Sequence, residues 1–86
     1  MITTQQIKAA RALLSWSQSD LARKSGVSEP TIARLEALEG EVGGRQATVK
    51  KMRGALEAAG IEFIEENGGG PGVRLRKRQR IKTFQA

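Results

Sequence analysis

The side chains able to do chemistry in this chain are few and of one kind. Its 86 residues include no cysteine and no histidine. That removes disulfides, thiolate nucleophiles, the commonest general base and the commonest zinc ligand. Serines and lysines are present, but no base is spaced to activate a serine. The carboxylates are scattered over cap, loop and strand positions. NGGGPG at residues 67–72 lacks the Lys-Ser/Thr ending of a phosphate-binding loop and opens no helix. No enzyme, metal or cofactor is expected. What remains is recognition by hydrogen bonds and charge. Residues 28–34, SEPTIAR, place a hydroxyl, a carboxylate, a pyrrolidine ring and a guanidinium within two helical turns. A guanidinium suits the paired acceptors of guanine, or a phosphate; a carboxylate accepts from the amino group of cytosine.

Three helix starts of one design would position these groups. Thr3 stands between Ile2 and Ile7, Ser17 between Trp16 and Leu21, and Ser28 between Val27 and Ile32. Each set has the spacing of an N-cap with a hydrophobic staple, and Gln6 adds the capping-box position after Thr3. Asp20 holds the same position after Ser17 in a weaker variant. The first helix is expected over 4–14, with Ile7, Ala10, Arg11 and Leu14 on one face. The second runs over 18–24 and stops at Gly26, and the third covers 29–38. A fourth spans 46–59, with Val49, Met52, Leu56 and Ala59 at helical spacing before Gly60. Ala22 lets the third helix cross close to the second, while Val27, Ile32 and Leu35 hold it down. Pro30 falls in the first turn, where no helical N–H is owed.

After Gly60 the period changes. IEFIEE (61–66) and VRLR (73–76) flank the glycine-rich turn and read as a β-hairpin, with Glu62, Glu65 and Glu66 able to oppose Arg74 and Arg76. Residues 1–73 carry nine Lys/Arg and nine Asp/Glu, so the net charge of +6 comes from Arg74, Arg76, Lys77, Arg78, Arg80 and Lys82. A basic tail on a neutral body suits a polyanion, and a solvated tail is the plainer alternative. No apolar run approaches the roughly 20 residues that span a bilayer, and the N-terminus has no secretory pattern. A cytoplasmic protein without membrane partners is expected.

Gln18 to Ala37, QSDLARKSGVSEPTIARLEA, resembles the helix-turn-helix of the Cro and lambda-repressor-like family, also called the Xre family. The resemblance covers roughly residues 4–60, and IEFIEENGGGPGVRLRK is similar to an extension of short bacterial members. It implies a mainly α fold: a four-to-five-helix DNA-binding bundle followed by a C-terminal β-hairpin. Residues 1–60 would form the DNA-binding domain, 61–76 a dimerisation element and 77–86 a basic tail without ordering pattern. The implied function is a sequence-specific regulator of transcription, a repressor, that binds a palindromic operator on double-stranded DNA as a homodimer.

In the family the third helix enters the major groove. Carried over by position, Ser28, Glu29, Pro30, Ala33 and Arg34 would read bases, and the helical wheel agrees because they lie away from Ile32 and Leu35. Glu29 has a second role as partner of the helix dipole, and Arg34 could be an ordinary exposed arginine. Gln18 matches a residue that contacts a phosphate and supports the reading helix, and a helix N-terminus suits an anion. Thr31, Arg45, Lys77 and Arg78 are further phosphate candidates. Arg11 and Glu36 match positions that form a structural ion pair, and a charge on the apolar face of the first helix needs a partner.

One reading helix covers few base pairs, and an isolated hairpin is marginal in water. Pairing of two hairpins, with Ile61, Phe63, Ile64, Val73 and Leu75 in contact, would answer both needs; the alternative is a hairpin folded onto its own helices. Two other functions fit the same chain. An antitoxin would bind DNA and also mask a toxin protein. A protein-interaction module would not bind DNA at all.

Overall fold

Each helix start marked by a capping residue is closed by that residue's side chain. The computed structural model describes residues 2–40 and 46–76. Its elements are α1 (Thr4–Leu14), α2 (Gln18–Ser25), α3 (Glu29–Glu36), α4 (Gln46–Ala58), β1 (Ile61–Ile64) and β2 (Gly72–Leu75). The Thr3 hydroxyl accepts from the Gln6 backbone N–H, and the Thr3 N–H donates to the Gln6 side-chain Oε1, closing a capping box on α1. Ser17 and Asp20 close a second on α2 at 2.9 and 3.0 Å. Gly26 takes the left-handed conformation (φ +79°) that ends α2 and turns the chain into α3.

α2 packs on α3 and α4, α1 on α3 and β2, and α4 on β1. Ile7, Leu21, Ile32, Met52, Leu56 and Ile61 are fully buried in one cluster. Five of the six elements therefore contribute to a single core, and the hairpin is part of it. β1 and β2 pair antiparallel within the chain, with Ile61 opposite Leu75 and Phe63 opposite Val73. Gly68 and Gly70 take positive φ in the turn between them. The strands are shorter than the sequence pattern suggests, so Glu65 and Glu66 fall beyond β1. Glu62 meets Arg74 at 2.6 Å, while the Arg76 guanidinium donates to the Glu57 carbonyl. Arg53 lies over the Phe63 ring at 5.1 Å and pairs with Glu57.

The third helix does not reach Leu38. It ends at Glu36, and Leu38 is exposed. The physical reason lies in the next turn: the Gly40 carbonyl accepts the Thr4 N–H at 2.8 Å, an orphan donor at the α1 N-terminus. A further helical turn would carry that carbonyl away. α1 ends at Ser15, the one described non-glycine residue with positive φ.

Arg11, Glu36 and Gln18 join the first three helices. Arg11 Nε and Nη2 donate to the two Glu36 carboxylate oxygens at 2.8 and 2.6 Å. Arg11 Nη1 donates to the Trp16 carbonyl, and Gln18 Nε2 to Glu36 Oε1 at 3.0 Å. The Glu36 side chain is only 5% exposed. Burial pushes its carboxyl toward the neutral form. The hydrogen bonds from Arg11 and Gln18, with the charges of Arg11 and Lys8, outweigh that and hold it below its ordinary pKa.

The Gln6 side chain joins the hairpin to α1. Its Nε2 donates to the carbonyls of Ile64 and Gly72, at 3.2 and 2.9 Å. Glutamate at this position would keep the capping box but has no proton to donate when ionised.

Gln6→Glu is expected to cost about 1–3 kcal/mol, read as a lower denaturation midpoint; an unchanged midpoint would show the hairpin anchored elsewhere. Arg11→Ala should cost about 3 kcal/mol because it strands a buried carboxylate. Pairing Arg11→Met with Glu36→Gln should recover most of that loss. Because the Glu36 pKa is depressed in the folded state, its stabilisation is present above the unfolded value and disappears as pH falls through the folded one. The melting-temperature gap between wild type and Glu36→Gln should therefore narrow as the pH falls below the ordinary glutamate range.

Candidate nucleic-acid interface

α3 is eight residues long, too short to stand alone in water. Its inward side is Ile32, Leu35 and Glu36, all buried, with Val27 buried just before it. Its outward side is Ser28, Glu29, Pro30, Ala33 and Arg34, all exposed. The five positions expected at bases thus lie together on one uncovered helix face. Arg34 and Glu29 have no ion-pair or hydrogen-bond partner among the described residues.

Ser28 differs from the rest of the set. Its Oγ accepts the Thr31 N–H at 3.3 Å and its hydroxyl donates to Thr31 Oγ1 at 2.9 Å. The cap consumes the Ser28 proton and leaves the half-buried Thr31 hydroxyl to donate outward. Pro30 occupies the second helical position and keeps this turn rigid.

Gln18 is half-buried at the first turn of α2 and spends one amide proton on Glu36. Nε2 carries a second proton, so support of α3 and donation to an anion are compatible. Sequence reasoning foresaw the Arg11–Glu36 pair but not Gln18 as its third member. The signal was an amide at the first position of a helix opposite a buried acid, a contact that only the packing of α2 on α3 creates. Arg45, Lys77 and Arg78 lie outside the described residues, as does the rest of the basic tail.

The five residues expected at a two-fold contact divide. Ile61 and Phe63 face the chain's own core, at 0% and 9% exposure. Ile64 and Val73 are half-buried, and Leu75 is 49% exposed. The β1 residues thus lie in the core against α4, while α1 lies along β2, where Val73 is partly covered and Leu75 stays open.

The described residues hold no cluster of three or more metal-ligating side chains and no helix long and apolar enough to cross a membrane. No curated protein matches the chain. A family model described as helix-turn-helix matches residues 7–62, a span that takes in α1 to α4 and the start of β1. With α2 and α3 packed around Gly26 and an uncovered polar face on α3, the chain belongs to the lambda-repressor-like helix-turn-helix family of DNA-binding regulators.

Proposed function

We propose that the protein is a transcriptional repressor that binds a palindromic operator as a homodimer, with α3 in the major groove. The observation that carries this reading is the α3 face. Ser28, Glu29, Pro30, Ala33 and Arg34 are exposed on one side, while Ile32, Leu35 and the Glu36 network fix the other. A helix held this firmly can present side chains to base edges without paying to order itself on binding. Arg34 reads guanine and Glu29 reads a cytosine amino group while complementing the positive helix end. Gln18 and Thr31 hold phosphates beside the helix. The tail arginines and lysines from residue 77 onward, with Arg45, add affinity that is independent of sequence and weakens with salt.

Selection of bound sequences from a random DNA pool tests the reading directly. An inverted repeat with half-sites about one helical turn apart is expected. Arg34→Ala should weaken operator binding by about 1–3 kcal/mol and blur the preference at one base pair. Glu29→Gln should raise binding to unrelated DNA and blur a different position. Enrichment of no sequence at low salt would overturn the proposal. An unchanged preference in Glu29→Gln would leave Glu29 as a dipole partner only.

A further inference from the structure

β2 is an open edge. The Arg76 N–H donates to the Gly60 carbonyl at 2.7 Å. Antiparallel alternation from that bond puts Arg74 and Gly72 in the hydrogen-bonded pairs with Glu62 and Ile64. Val73 and Leu75 then turn their backbone N–H and C=O groups away from β1. Neither makes a backbone bond to any other element among the described residues.

The side chains on this edge are only partly covered: Val73 packs against the core, and Leu75 stays open. Val73 and Leu75 share the inward face with buried Phe63 and Ile61, yet Leu75 is 49% exposed. Two grooves follow the same strand. One is lined by Gln5, Ala9, Pro71 and Val73, the other by Leu14, Ala59, Gly60 and Leu75. Another strand laid against β2 would place alternate side chains over this seam, and the chain's own Val73 and Leu75 have the required period of two.

We infer that a second copy of this chain occupies the edge, β2 against β2 antiparallel about a two-fold at Val73, making a four-stranded sheet. The inference rests on the homodimer reading and specifies its surface. Charge selects the register. A two-fold at Arg74 sets arginine opposite arginine, and one at Leu75 sets Arg74 opposite Arg76. A two-fold at Val73 sets Arg74 opposite Gly72 of the second copy, where no charge stands. Arg74 is also already matched by Glu62 at 2.6 Å on its own chain. Like charges directly opposite would otherwise oppose pairing.

The chain has no cysteine, so single cysteines map the register in the full-length protein. In the inferred pairing the two Val73 Cα atoms are about 5.5 Å apart, within disulfide reach. The two Arg74 positions are about 8 Å apart and beyond it. Val73→Cys should form a covalent dimer on mild oxidation, whereas Arg74→Cys and Leu75→Cys should not. Val73→Pro removes an outward N–H without touching the β1–β2 ladder; it should sediment as a monomer with unchanged circular dichroism. Cross-linking through Cys at 74 or 75 in place of 73 overturns the register, and a dimer that survives Val73→Pro overturns the edge. A wild type that sediments as a monomer overturns the edge and the homodimer together. DNA binding is then judged separately by the selection experiment.

Discussion

The bidentate pair between Arg11 and Glu36 sets the geometry on which the exposed face of α3 depends. α3 has no length to spare, and its last residue is an acid only 5% exposed. Left alone, that carboxylate would open the junction of three helices to water. Arg11 reaches it from α1, Gln18 from the first turn of α2, and the same guanidinium ties down the Trp16 carbonyl between them. The network fixes direction as well as distance, because a fork meeting a carboxylate tolerates little rotation. Apolar packing of Ile32 and Leu35 would hold α3 near the body; the charged pair decides how it is turned.

The opposite side of the molecule is held by quite different means. The hairpin is closed by a weak two-stranded ladder and fastened by one amide, Gln6, to two carbonyls. Its apolar contribution comes almost wholly from β1, whose Ile61 and Phe63 enter the common core under the Arg53 side chain. β2 meets the core through Val73 and α1, but its Leu75 stays exposed while the cross-strand partner Ile61 is fully covered. Among the described residues, one firm face thus keeps charged side chains unpaired and one strand edge keeps backbone groups unpaired.

What could be read from the sequence was local. Thr3, Ser17 and Ser28 act within three or four residues of themselves, so spacing alone located α1, α2 and the start of α3. The alternation after Gly60 located the strands for the same reason. The α3 end could not be found this way, because it is set by the Gly40 carbonyl serving Thr4 across the fold. Gln6 was legible as a capping-box residue but not as the hairpin anchor, since that role needs β1 and β2 beside it. The exposure of the outward α3 face followed from the helical wheel. That Ser28 spends its proton on Thr31 did not, because hydroxyl partnership depends on rotamers within the turn.

The Gln6 anchor also bears on how the chain acquires its shape. Its bond to Gly72 joins residues 66 apart in sequence. Ile61, fully buried among the helices, is likewise a late arrival from the ribosome. The helix pair that carries recognition is made early, but the core beneath it stays unfilled until β1 emerges, seconds later at ordinary elongation rates of about 5–20 residues per second. Long-range closure of this kind slows folding relative to a purely helical bundle. A nascent chain would expose apolar surface on α1 and α4 through that interval. The hairpin therefore completes the core only after all four helices have been synthesised.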